Sequence, residues 1–306
     1  MESRNHSTVT HFILLGFSSD PNTQILLFFI FLVVYLVLLV GNILLVLAVT
    51  FDPQLHNPMY FFLINLSIIN ICGPSAIVPR MLMDFLSGDE SIFFAACATQ
   101  MFLNIFMIGS ECLLLVFMAY DRYVAICNPL RYNEIMNRSV CTLMAMVMWT
   151  VSSATSSLNT FVVCNLTFCG PNVINHFMCS PKYLTILSCN EISGYNSISI
   201  VGGTTIFLVP LLLILFSYYK INSSIKGICG RRCKAFSNCT PHLIVVTLFF
   251  VSAMVNSMRT NVSVDDNRGK VISVFSVIIT PMVNPMIYSL RNNDVIGALR
   301  HLVRLQ

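Results

Sequence analysis

Apolar residues in this chain neither alternate with polar ones nor recur every third or fourth position; they come in long unbroken runs. Asp, Glu, Lys and Arg are absent from Ile25–Phe51, Met59–Pro79, Ser139–Pro181, Ile192–Tyr219, Ala235–Met258 and Val271–Leu290, and Ser91–Tyr120 is interrupted only by Glu111. About 20 apolar residues cross a hydrocarbon core about 30 Å thick. The interior of a bilayer admits only helices and closed barrels, and continuous runs select helices over the alternation of a barrel strand. The pattern predicts an all-α membrane protein, a bundle of seven transmembrane helices over 25–50, 59–83, 93–122, 140–164, 195–220, 236–259 and 270–290. Ser139–Pro181 is long enough for the fourth span plus a loop. No separate domain remains, so residues 1–306 read as one seven-span unit.

The flanks carry different patterns. Met1–Gln24 reads as a short polar segment. The first span is not a signal peptide: no basic region precedes it, it exceeds an apolar core of about 7–15 residues, and no small-residue cleavage pattern follows. After the seventh span, Val295, Ile296, Leu299, Leu302 and Val303 share one helical face, with Arg300, His301 and Arg304 among them. That spacing predicts a short amphipathic helix over 292–303, lying on the inner membrane surface.

Composition sharpens the class. Hydrophobic residues make up 56% of the chain and charged residues 10%, against about 25% charged in a soluble domain. Such a chain cannot clothe a water-facing surface, which excludes a soluble enzyme or nucleic-acid binder. A net charge of +4 says little until the charges are placed. With the N-terminus outside, the inner segments hold 11 of the 17 Lys and Arg, and the outer segments hold 6 together with eight acids. This bias predicts N-terminus outside and C-terminus inside. Asn5-His6-Ser7 then offers an outer glycosylation acceptor at Asn5. Of the 12 cysteines, Cys97, Cys169, Cys179 and Cys189 fall on the outer side, where three pairings are open to them. Oxidation suits that face.

Several residues are conspicuous by chemistry. Asp121-Arg122-Tyr123 sits at the inner end of span three, where an acid and a base are costly unless paired; Asp121 can hold Arg122 locally. Glu111 is the one acid deep in a span and must be paired, neutralised or ion-bound. Asn42 needs a polar partner in span one. Pro285 frees a carbonyl one turn back, and Asn284 beside it can satisfy the loosened backbone; Pro210 does the same in span five. Cys233, Cys239 and His242 lack complete zinc-site spacing, and His176 beside Cys179 reads as a polar loop residue. No phosphate loop, nucleophile elbow or zinc-helix motif is present, so the chain has no catalytic set and is not expected to be an enzyme.

The string Met118-Ala119-Tyr120-Asp121-Arg122-Tyr123-Val124-Ala125-Ile126-Cys127-Asn128-Pro129-Leu130-Arg131-Tyr132 resembles the signature of vertebrate olfactory receptors, in the rhodopsin-like class of G-protein-coupled receptors. Further segments agree, in order along most of the chain: Gly41-Asn42, Leu55–Leu63, Ser217-Tyr218, Lys234–Leu243 and Asn284–Asn292.

The resemblance implies a small, neutral, mostly apolar volatile as ligand. It would be held among Asn104, Ile105, Ile108, Gly109, Gly202, Ile206, Phe207, Ala253, Met254, Asn256, Ser257 and Val274. Asn104, where amine receptors carry Asp, disfavours an amine. Arg259 near the rim of span six reads as snorkelling to the headgroups. Asp121, Arg122, Tyr123, Tyr218, Phe250, Asn284, Pro285 and Tyr288 would form the switch and the coupling face for a stimulatory (olfactory) G protein that raises cyclic AMP. The basic stretch Lys220–Lys234 flanks that face. The resemblance also implies disulfides Cys97–Cys179 and Cys169–Cys189, and residence in the plasma membrane, in the cilia of olfactory neurons.

The chain departs from the family pattern in two places. Asn70 stands where the family carries Asp, so the implied sodium pocket of Asn70 and Glu111 competes with a protonated Glu111 hydrogen-bonded to Asn70. Phe250 and Val251 replace Tyr-Gly in span six, which implies altered activation. Two other classes are weighed against the receptor. A channel or transporter would need repeat symmetry or a polar pore face, and neither is apparent. A silent family member that traffics without signalling fits the departures.

Overall fold

The computed structural model describes residues 9–169, 171–189, 193–224, 229–257, 267–289 and 293–304; within helices, the side chains of 193–204, 229–238, 257, 267, 289, 293, 294 and 301–304 lie outside the described set. Among the described residues, twelve α-helices run in chain order: α1 Pro21–Phe51, α2 Pro58–Ser75, α3 Val78–Ser87, α4 Phe94–Cys127, α5 Tyr132–Ile135, α6 Arg138–Cys164, α7 Pro181–Ile186, α8 Ser193–Ser224, α9 Cys229–Ser257, α10 Asn267–Val274, α11 Thr280–Ser289 and α12 Asn293–Arg304. Among the described residues seven segments are long and apolar enough to cross a membrane. Their exposed faces carry Ile25, Phe29, Leu158, Phe161, Leu212 and Phe216, a surface suited to lipid and not to water.

The helix starts are written in the sequence. Asp20 caps α1, its carboxylate accepting the Thr23 N–H at 2.9 Å ahead of Pro21 in the first turn. The side-chain and backbone hydrogen bonds from Thr23 hold the Asp20 carboxyl below its usual value. Asn57 caps α2 through the Tyr60 N–H, and Asn137 caps α6 through the Val140 N–H. In each case a side-chain oxygen takes a donor that the first helical turn leaves orphaned.

Two spans are less regular than the apolar runs predict. The second is broken into α2 and α3 at Ala76 and Ile77, just after Pro74. A proline inside a helix removes one donor and crowds the preceding turn. The helix α3 then ends on Gly88 at φ 65°, a left-handed conformation that favours glycine. The seventh span is α10 and α11 joined through a π-helical stretch, Phe275–Ile279, where the Thr280 hydroxyl donates to the Phe275 carbonyl.

The segment before α1 is not simply polar. His11–Leu14 forms strand β1, lying between β2 (Ser91–Phe93) and β3 (Val173–Ile174). It pairs antiparallel with β2, Phe12 opposite Ile92, and parallel with β3, Leu14 opposite Ile174. Alternation buries Phe12 and Leu14. Past the strand, Phe17 stacks on Phe177 and packs against Phe31 and Phe85. The Lys270 ammonium donates to the Gly16 carbonyl. One strap thus ties α1, α3, α10 and the loop after α6 together.

The structure joins Cys97, in the first turn of α4, to Cys179, and Cys169 to Cys189, with Cα–Cα distances of 5.4 and 5.6 Å. The main core lies toward the other end of the bundle, where α2, α4, α6, α9, α11 and α12 meet around Leu66, Leu114, Leu115, Met148, Val245 and Val295.

Candidate functional site

Among the described residues the third span carries more of the buried polar side chains than any other span. It runs unbroken through Asp121-Arg122-Tyr123 to Cys127, five residues past the boundary predicted from its apolar run. The Arg122 guanidinium donates from Nε to Asp121 Oδ2 at 3.0 Å. The other carboxylate oxygen, Oδ1, accepts the Tyr132 hydroxyl at 2.6 Å. Asp121 is buried and Arg122 is largely so. Burial first, and then the Asp121 charge, hold the Tyr132 hydroxyl above the ordinary phenol value, so it serves as a donor. The pairing of Asp121 with Arg122 follows from adjacency. Tyr132 was visible only as the last residue of the signature string, and it brings α5 onto the end of α4. In the turn between them, Leu130 is 100% exposed.

Beside this pair the third, fifth and sixth spans are pinned together. The Tyr218 hydroxyl lies 2.6 Å from His242 Nδ1, and His242 Nε2 lies 3.1 Å from the Leu115 carbonyl. A carbonyl only accepts, so the imidazole carries its proton on Nε2 and accepts a hydrogen bond from the Tyr218 hydroxyl on Nδ1. Tyr123 and Tyr218 both pack against the cluster of Ile221 and Cys239 in the same region. Tyr288 is buried nearby in the main core, its hydroxyl without a hydrogen-bond partner among the described residues. His242 therefore acts as a structural link. Cys233, which the incomplete zinc spacing included, lies outside the described side chains, and among the described residues no three metal-ligating side chains gather.

A second polar cluster joins spans one, two, three and seven. Asn42 donates to the Leu38 carbonyl at 2.9 Å and to the Pro281 carbonyl at 3.1 Å, and accepts from Asn70 Nδ2 at 3.2 Å. Asn284 Nδ2 donates to Asn70 Oδ1 at 3.2 Å and to Glu111 Oε1 at 3.4 Å. Two expectations change here. The carbonyl loosened by Pro285 belongs to Pro281, and Asn42 across the helix interface satisfies it instead of Asn284. Glu111 and Asn70 are bridged by Asn284, in place of a direct hydrogen bond. An N–H group faces the two oxygens that a sodium ion would need, while Asn284 Oδ1 is buried without a hydrogen-bond partner among the described residues. In this arrangement the cluster does not fit a cation.

The residues expected to hold ligand divide over several environments. Asn104 is buried on α4. Ile108 and Phe207 pack against the main core, with Phe207 6.4 Å from the Phe249 ring. Ile105 packs on the disulfide-end cluster of Phe12, Cys97 and Met101. Val274 packs on the cluster of Phe31, Ile77 and Phe177. Ile206 meets α4 through its carbonyl. Ala253 and Asn256 are half-buried, and Met254 is 51% exposed on the outside of the bundle. At Gly109 an added Cβ would meet the Ser152 side chain at 3.4 Å, so this glycine serves the contact between spans three and four. The surroundings of Gly202 and the side chain of Ser257 lie outside the described set, as do Asn5 and Arg259 altogether.

In span six Phe250 is buried in the main core, whereas Val251 is 52% exposed on the outer face, away from that core. A narrow crevice with no room for a ligand lies under the strap, lined by Phe12, Phe94, Met101, Val163 and Leu184, and it shares no residue with the expected ligand set.

A family model described as "Olfactory receptor" matches residues 31–305. The chain is 43% identical to the human protein named "Olfactory receptor 10A7" over 306 residues, covering 99% of this chain and 96% of that one. It is 43% identical to the mouse protein named "Olfactory receptor 8B3" over 98% of this chain and 95% of that one. Among solved structures, "Crystal structure of squid rhodopsin" superposes with a TM-score of 0.75 at 16% identity, over 94% of this chain and 87% of that one. At that identity the likeness speaks for the fold alone.

Proposed function

The chain belongs to the olfactory receptor family, a multi-pass membrane receptor and not an enzyme, and from that membership we propose that it binds a small, neutral, mostly apolar volatile within the helix bundle and activates a stimulatory (olfactory) G protein. Residues 1–306 act as one seven-span unit, with the N-terminus outside and the C-terminus at the cytosol, in the plasma membrane of olfactory cilia. Asn5 is the glycosylation acceptor.

The observation that carries this reading is the buried Asp121–Arg122 pair at the end of α4, tied down by Tyr132 and flanked by the Tyr218–His242 link between the fifth and sixth spans. Arg122 is a cation held in reserve where three helices meet. Releasing it exposes a positive group and Tyr218 to a partner in the cytosol. An agonist shifts the receptor toward that released arrangement only as far as it binds it better than the resting one. Ligand affinity comes chiefly from apolar burial, with Asn104 and Asn256 offering polar contacts. Together with Asp121, Arg122, Tyr123 and Tyr218, the switch set comprises Asn284, Pro285, Tyr288 and Phe250. The basic stretch around Lys220–Lys234 also suits anionic lipid.

The test is cyclic AMP output in cells co-expressing the olfactory G protein and exposed to a panel of volatiles, with surface receptor measured in parallel. An odorant response that disappears in Arg122→Ala at equal surface level is the expected result. Ion flux without G protein would point instead to a channel.

A further inference from the structure

Pro210 stands inside α8. Proline carries no N–H, so the carbonyl of Ile206, one turn back, loses its helical donor. At Pro285 the same defect is met from another helix, by the Asn42 amide on Pro281. At Pro210 it is met by the thiol of Cys112 on α4, which donates to the Ile206 carbonyl at 3.1 Å. Cys112 is fully buried among apolar side chains. A thiol is a weak donor, and a buried cysteine ordinarily packs as a small hydrophobe. Here it meets a backbone acceptor that Pro210 has deprived of its ordinary helical donor, inside an apolar span. The preceding residue, Glu111, accepts from Asn284. Adjacent positions on α4 therefore hold two of the proline-bearing spans, the fifth through Cys112 and the seventh through Glu111.

We propose that Cys112 is a positioning residue: its thiol staples the proline-kinked fifth span to the third and fixes where Ile206 and Phe207 stand in the ligand site. This rests on the reading above that Ile206 and Phe207 line that site. The hydrogen bond itself is independent of that reading and can be tested without ligand.

Wild type, Cys112→Ser, Cys112→Ala and Cys112→Val are compared in lipid nanodiscs. The wild-type minus Cys112→Ala infrared difference isolates the S–H stretch of this one thiol. A band lowered from the free-thiol position is expected, and an unshifted band overturns the proposal. Thermal stability is expected to stay near wild type in the serine variant and to fall in the other two. In cells, with surface level matched, Cys112→Ala and Cys112→Val are expected to weaken agonist potency by about two- to tenfold, the range of one net hydrogen bond. Cys112→Ser is expected to restore it. Serine behaving like valine in potency and stability overturns the proposal, because packing then outweighs the hydrogen bond. A lowered S–H band in a wild-type receptor that answers no odorant would leave the staple standing and remove the function reading alone.

Discussion

Replacing Asn42 by leucine keeps the branched shape and the number of side-chain heavy atoms but removes two hydrogen bonds between helices. The Pro281 carbonyl loses its donor, since Pro285 offers none, and the Asn70 amide loses its acceptor. Hydrogen bonds between membrane helices contribute about 0.6 kcal/mol on average and up to about 1.7. Two of them put the expected loss at roughly 1–3 kcal/mol, or roughly 2–10 °C in Tm if a large soluble domain is the guide. The assay is unfolding of purified receptor in detergent, read with a thiol-reactive dye; the buried free thiols of Cys112, Cys141 and Cys239 become reactive as the bundle opens. Pro285→Ala supplies the decisive control. Alanine restores an N–H for the Pro281 carbonyl, so Asn42→Leu should cost less in that background. An equal cost in both backgrounds would refute the claim that Asn42 completes the proline-broken helix.

Other outcomes follow from the same geometry. Gly41→Leu should sharply lower surface expression, measured by flow cytometry, because a Cβ at Gly41 already lies 3.4 Å from the Pro285 ring, whereas Gly41→Ala should be tolerated. Tyr132→Phe removes one of the two holds on Asp121 and should raise ligand-independent cyclic AMP by about two- to tenfold, the range of one hydrogen bond. Asp20→Ala should lower thermal stability near neutral pH. Because the folded-state value of Asp20 is depressed by Thr23, its contribution is present above the ordinary carboxylate range and fades as pH falls through the lowered value. The two proteins should therefore converge in acid, as followed by dye unfolding across pH.

The spans were legible because lipid demands continuous apolar helices, and their charge-free runs leave little choice of position. The break after Pro74 was not read, since the apolar run continues past it without a charge. The π-helical stretch at Phe275–Ile279 carries no compositional mark. The three-stranded sheet escaped for a different reason: strands of two to four residues are too short to show a pattern. Its central strand pairs with segments roughly 80 and 160 residues away, although Phe12, Leu14 and the nearby Phe17 hint at a buried edge. Asp121–Arg122 could be read from adjacency, and Asn42 was recognisably in need of a partner. Which groups answered the freed carbonyls could not be read, because Asn42 and Cys112 reach them across helix interfaces. The disulfide pairing was left open by the cysteines themselves and narrowed only by resemblance.

The most direct test of the receptor reading is nucleotide exchange on a purified stimulatory G protein, using receptor reconstituted in nanodiscs and a volatile found active in cells. The account predicts faster exchange with the volatile, lost in Arg122→Ala while the folded protein is retained. Exchange that the volatile does not accelerate, or acceleration that survives Arg122→Ala, would contradict it.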